Sequence, residues 1–267
     1  MERSMPEINL NYPILIEIGN SSGSGFFFHH PDTHRLYLAT AEHVLFNQAT
    51  GELLGPEITL TIPMGIYKKP KIIIADVNKL VFRKKDSIDI VIVEIAKTGE
   101  IVAGKYGITL VDGITKPMGE VLITHVTFDS FIRFKEVKVG NDVFVLGYPS
   151  SLSGDQIEYN KPLLRKGIIA GVNVSLKTII IDCPVYFGNS GGLALQVTND
   201  GTGLVYEAIG VVSKYVPFVE QLTSQQHGYT NLNVENSGYG IVVPTDTIFN
   251  LTSEEPEGDV EIQTQVS

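Results

Sequence analysis

Cys183-Pro184-Val185-Tyr186-Phe187-Gly188-Asn189-Ser190-Gly191-Gly192 is the stretch on which the reading of this chain turns. Its one serine has glycine close by on both sides. Glycine tolerates positive φ and lets backbones approach closely. A nucleophilic serine needs that freedom, because its hydroxyl must be exposed and main-chain N–H groups must face the oxygen that gains charge during attack. A glycine-rich turn between two strands fits the same letters, so this segment alone leaves both readings open.

Working outward, two other segments carry chemistry-bearing side chains. In Leu38-Ala39-Thr40-Ala41-Glu42-His43-Val44 a histidine follows an apolar strand and a small-residue turn. A lone histidine in such a place is commonly structural. In Asp86-Ser87-Ile88-Asp89-Ile90-Val91-Ile92-Val93 an acid leads into an apolar strand, which by itself is ordinary turn chemistry. The three become informative as an ordered set of histidine, acid and serine. Such a set can support nucleophilic catalysis, with the histidine as base and the acid as its orienter.

Thr40-Ala41-Glu42-His43, Asp89-Ile90-Val91-Ile92 and Gly188-Asn189-Ser190-Gly191-Gly192 resemble the three signature blocks of the trypsin-like serine proteases. The resemblance is greatest to the disulfide-poor bacterial branch that includes the HtrA-type peptidases, and it runs from about Ser22 to Thr247. Flanking segments extend it: Gly23-Ser24-Gly25-Phe26, Val143-Phe144-Val145-Leu146-Gly147-Tyr148-Pro149, Lys166-Gly167-Ile168-Ile169-Ala170-Gly171, Ile209-Gly210-Val211-Val212-Ser213 and Gly238-Tyr239-Gly240-Ile241-Val242-Val243-Pro244.

The resemblance implies an all-β fold of two six-stranded antiparallel β-barrels with the active site between them. It implies a serine endopeptidase acting through an acyl-enzyme, with Ser190 as nucleophile, His43 as general base and Asp89 orienting the histidine. Asp86 is the alternative acid; Asp89 is preferred because it directly precedes the apolar strand. The N–H groups of Gly188 and Ser190 are the implied oxyanion hole. Substrate contacts fall on Ser213, Lys214, Tyr215, Gly238 and Gly240, with Ser213 to Tyr215 able to pair as a strand with extended peptide. The implied first pocket is mostly apolar, with Asp182, the one acid near it, facing away. Glu42 stands where relatives carry a small residue and is expected to point aside.

The expected partners are therefore a protein or peptide substrate, with no cofactor and no metal. Nothing resembles a zymogen cleavage motif, so control is expected from a constitutively ordered site or from a loop rearrangement driven by a regulatory partner. The competing reading is a catalytically silent, peptide-binding form of the same fold. An α/β-hydrolase esterase is disfavoured because its serine precedes its histidine.

The rest of the 267 residues agrees with an all-β body. Apolar segments are short, β-branched and punctuated by turn residues, recurring every ten to fifteen residues. Candidates include 13–18, 25–28 paired with 35–40, 58–62, 71–77, 88–95, 142–146, 167–174, 178–181, 192–197, 207–212 and 240–243. Short helical turns are expected after His43 and over Thr245 to Leu251. The organisation expected is one protease domain over 1–252: an N-terminal barrel at about 8–100, a connection at about 101–136 long enough for an extra hairpin, and a C-terminal barrel at about 137–252. An acidic, disordered tail is expected over 253–267.

Charge and cysteine content set the class. The net charge of −10 argues against nucleic-acid binding, and the run Arg83-Lys84-Lys85 reads as a solvated loop. The single cysteine, Cys183, permits no internal disulfide and reads as a buried small hydrophobe. The sequence shows no signal peptide and no apolar run long enough to span a bilayer. A cytoplasmic protein that does not bind membranes is expected. Six histidines, including His29-His30, show no metal-ligand spacing.

Overall fold

β-Branched and aromatic residues in short runs, cut by Gly, Pro and Asn, fold here into strands joined mainly by tight turns. The structure is a computed structural model that describes residues 5–102, 105–115, 123–150, 152, 157–224, 226 and 228–253. The expected acidic tail, apart from Ser253, lies outside the described residues.

The first half contains β1 (Pro13–Ile18), β2 (Ser21–His30), β3 (Arg35–Thr40), α1 (Glu42–Leu45), β4 (Glu57–Ile62) and β5 (Lys71–Asp76). It continues with β6 (Phe82–Lys85), β7 (Ile88–Val102), β8 (Lys105–Leu110) and β9 (Val126–Thr127). The second half contains β10 (Asp142–Gly147), β11 (Leu163–Asn173), β12 (Thr178–Asp182) and β13 (Leu193–Asn199). Then come β14 (Leu204–Ser224), β15 (Tyr229–Pro244) and α2 (Asp246–Ser253).

The two-barrel expectation holds, and the halves close differently. β10-β11-β12-β15-β14-β13 form a closed six-stranded barrel. The first half is a curled nine-stranded sheet along the path β5-β4-β1-β2-β3-β7-β6. Its extra strands have local causes. β7 runs past the end of its pairing with β3, and its tail pairs antiparallel with β8 in a hairpin that begins at Ala96. β9 adds in parallel to β2, with Phe28 opposite Val126.

The apolar runs of β2 and β7 alternate between two cores because both of their faces are covered. Phe27 points into the first sheet's own core with Ile16, Leu38, Val91 and Val93. Its neighbours Phe26 and Phe28 point the other way, with Ile90 and Ile92, into a second core shared with Leu146, Leu193, Val211 and Ile248 of the other half. The closed barrel has a third core around Val145, Ile181, Cys183 and Val242. Phe26, Phe27 and Phe28 are all fully buried, and burying such a side chain contributes about 1.5–3 kcal/mol. The shared core fixes one half against the other, and the candidate site lies at that junction.

Candidate active site

His43 stands on α1, a single turn that begins where β3 ends, so the strand delivers its ring to the junction. Asp89 is the second residue of β7, which pairs with β3. Its carboxylate receives the His43 main-chain N–H at 3.1 Å, and the ring Nδ1 lies 2.9 Å from both Oδ1 and Oδ2. A third donor crosses from the other half: the Ser213 hydroxyl on β14 donates to Asp89 Oδ2 at 2.5 Å. Burial pushes the Asp89 carboxyl up, but the His43 ring and charge, the Ser213 hydroxyl and the His43 N–H outweigh it and hold the group below its ordinary value. With three donors the site favours a carboxylate, which keeps the proton on Nδ1 and leaves Nε2 free to accept one.

Asp86 is exposed in the turn that precedes β7 and does not take this part. Glu42 points aside, as expected, in an ion pair with Lys84 at 2.6 Å.

Ser190 sits in the loop between β12 and β13, whose glycines are demanded by their surroundings. Gly188 has φ +92°, and a Cβ there would lie 2.2 Å from the Tyr148 carbonyl oxygen. Gly191 has φ +85°, and a Cβ there would lie 1.9 Å from the Ser24 carbonyl oxygen. The Gly191 and Gly192 segment is laced to β14, since Gly191 N–H donates to the Val212 carbonyl at 2.7 Å and Val212 N–H donates to the Gly192 carbonyl at 2.8 Å. A Cβ added at Gly23 would meet the Val44 side chain at 2.5 Å and the Ser190 carbonyl oxygen at 3.1 Å. Ser190 is thereby brought beside the turn that carries His43.

Ser24 holds these parts together, a role that sequence reading missed. It is fully buried on β2. Its N–H donates to the Ser190 carbonyl at 2.8 Å, and its hydroxyl donates to the Gly188 carbonyl at 2.6 Å and accepts from Tyr148 N–H at 2.8 Å. Its own carbonyl accepts from the Thr40 hydroxyl at 2.7 Å, on the strand that leads to His43. The available signal was a hydroxyl between two glycines, Gly23 and Gly25, where backbones come close.

The expected substrate contacts divide. Ser213 is 2% exposed and its hydroxyl is engaged with Asp89, so that group is committed to the carboxylate. Lys214 is exposed, and the half-buried Tyr215 ring packs edge-on against Phe187 at 6.0 Å. Gly238 takes φ +86° and donates its N–H to the Asn236 side chain at 2.9 Å. Gly240 pairs with Tyr215, and a Cβ there would lie 2.6 Å from a Val185 methyl group. Asn236 also donates to the Val185 carbonyl at 2.6 Å, pinning the segment that precedes the serine. Asp182 is exposed. Cys183 is fully buried, and burial raises its thiol to about 11, so it is a poor nucleophile at neutral pH. A cleft of about 770 Å³ runs along Asp89 and Ser213 and carries Lys85, Arg133, Lys177 and Lys214 on its walls.

No protein-family model and no curated protein sequence matches the chain. Solved structures do. An HtrA-type protease, AlgW, solved with a tripeptide, aligns at 16% identity and TM-score 0.52, over 91% of this chain and 60% of that one. This chain thus spans 60% of the length of that relative. The thermostable serine protease AL20 from an extremophilic microorganism aligns at 15% identity and TM-score 0.52, over 93% of this chain and 100% of that one. A Glu endopeptidase in complex with MPD aligns at 12% identity and TM-score 0.51, over 91% and 90%. The structural neighbours are thus HtrA-type and trypsin-like serine proteases, and the fold is the chymotrypsin-like pair of barrels. No helix among the described residues is long and apolar enough to cross a membrane.

Proposed function

We infer that the chain is a serine endopeptidase. The observation that carries this reading is the Ser213–Asp89–His43 chain of hydrogen bonds beside a serine loop whose glycines adopt conformations other residues cannot. Ser190 Oγ attacks the scissile carbonyl carbon while His43 Nε2 takes its proton. The N–H groups of Gly188 and Ser190 hold the oxyanion, each such donor contributing about 3 kcal/mol. The imidazolium then gives the proton to the leaving amine, and water repeats the cycle on the acyl-enzyme. Asp89 remains ionised throughout and stabilises the imidazolium.

The supports of the oxyanion loop, Ser24, Tyr148 and Val212, belong to the chain itself. This favours turnover by the chain alone over a site that a regulatory partner must assemble. Treatment with a fluorophosphonate probe tests the reading: wild type is labelled and Ser190→Ala is not. A well-folded wild type that resists labelling, alone and with candidate substrates, would point to a silent peptide-binding protein instead. Peptidase assay of the purified full-length chain tests the autonomy, and activity that appears only on adding a partner would overturn it.

A further inference from the structure

β14 and β15 do not end where the barrel ends. They continue as a two-stranded ribbon, in register from Pro217↔Asn236 to Ser224↔Tyr229. β13 accompanies β14 only as far as Val211, and β12 accompanies β15 only between Tyr239 and Val242. Beyond Val212, whose N–H and carbonyl are bonded to Gly192 and Gly191, β14 therefore has one unpaired edge among the described residues, from Ser213 to Ser224. That edge begins at the candidate site. Val212 is bonded to Gly191 and Gly192, Ser213 to Asp89, and Tyr215 rests on Phe187.

The ribbon's side chains are unusual for an exposed edge. Phe218, Val219, Leu222, Tyr229, Leu232 and Val234 are each more than half exposed. Cross-strand pairing places Val219 and Val234 together on one face and Phe218 and Leu222 on the other. Natural edge strands are commonly guarded by lysine or inward-pointing charge. Between Pro217 and Asn236 the sequence has no lysine or arginine, although the chain carries 20 in all. One proline, Pro217, interrupts the edge and removes a single donor.

We propose that this edge is the binding track for the part of the substrate upstream of the scissile bond. The proposal rests on the endopeptidase reading and goes beyond it by naming the substrate class: unfolded or extended polypeptide with apolar residues well before the cleaved bond. The occupant follows from continuity. A chain paired antiparallel along Ser213 to Tyr215, with its scissile carbonyl at Ser190, passes directly onto Phe218 to Ser224 as it runs towards its own N-terminus. Its alternating side chains then lie beside Phe218 and Leu222 on one face and Val219 on the other. Main-chain hydrogen bonds supply the affinity, and the exposed apolar side chains favour apolar partners without dictating a sequence.

The test uses peptides that share one cleavage site and carry upstream extensions of roughly three, six or nine residues. The expected result is a rise in kcat/KM of about tenfold or more from the shortest to the longest. The gain disappears when alternate upstream amides are N-methylated, and extension on the leaving-group side gives none. Replacing Phe218–Glu235 by a two-residue Asn-Gly turn makes kcat/KM independent of length. A flat length dependence in wild type, or gain only from leaving-group extensions, overturns the proposal. So does sedimentation that shows dimers held by the ribbon in a protein indifferent to peptide length. Fluorescence anisotropy on Ser190→Ala keeps the two readings apart. If wild type is not labelled by fluorophosphonate, the endopeptidase reading fails, while length-dependent binding still decides the track.

Discussion

The root and the arm of the β14–β15 hairpin are made of the same two strands and live in opposite surroundings. At the root, Val211, Val212 and Val242 are fully buried, while Val219 and Val234 in the arm are more than half exposed. Both regions keep an antiparallel ladder, with bulges between them at Val212/Lys214 and Tyr215/Pro217. An isolated two-stranded hairpin is marginal in water. The arm is therefore held from below, where the Ser237 hydroxyl donates to the Val216 carbonyl at 2.6 Å and Asn236 pins Val185. Backbone pairing can carry a strand beyond its core, but positioning of the chemistry belongs to the buried root.

That contrast can be broken experimentally. The largest effect is expected at the carboxylate the root supports: Asp89→Asn should lower kcat about 10⁴-fold, measured by steady-state kinetics on a short peptide. The same variant reports on acid stability. Unfolded Asp89 titrates near 3.8 and the folded group below that, so its stabilisation is present above pH 3.8 and is lost as pH falls through the depressed value. The stability difference between wild type and Asp89→Asn in urea unfolding should accordingly narrow in acid; a gap that widens would contradict the assignment.

Ser24→Ala comes next. It frees the Gly188 carbonyl and leaves Tyr148 N–H without its acceptor. We expect kcat to fall roughly 10–100-fold with KM little changed, and affinity for a peptide boronate to fall in step. A purely structural role would lower stability, by about 1–3 kcal/mol, without that split. Ser213→Ala removes one of three donors to Asp89 and should lower kcat by about tenfold. At the small end, Val234→Ser in the arm should change stability by less than about 0.5 kcal/mol, against about 1 kcal/mol or more for Val242→Ala in the root, both read by urea unfolding. Equal costs at the two valines would erase the distinction between root and arm.

The root was legible in the sequence and the arm was not. Glu207 to Val212 and Gly240 to Val243 are apolar runs and were read as strands. Residues 217–236 mix Pro, Gln, Thr and Asn with scattered hydrophobics. Neither face of the ribbon packs on a core, so the two-residue alternation that marks a half-buried strand never develops. The serine, histidine and acid are candidates from motif order, with Asp89 preferred over Asp86 because it directly precedes the apolar strand; the three donors that converge on Asp89 are visible only in the structure. The parts of Ser24 and Ser213 depend on contacts across the junction, and no local pattern encodes those. The count of nine strands in the first sheet, where six are expected, escaped the reading for a similar reason: β9 is two residues long and exists because Val126 and Thr127 meet the edge of β2.

The bond from Ser213 to Asp89 joins residues 124 positions apart. A polypeptide is made from its N-terminus, so His43 and Asp89 leave the ribosome well before Ser190, Ser213 and the strands that hold them. During that interval the His43–Asp89 pair has neither its third donor nor the proposed nucleophile beside it. On the proposed endopeptidase reading, completion of the second half is the event that would arm the site, and a prematurely terminated chain is expected to be inactive.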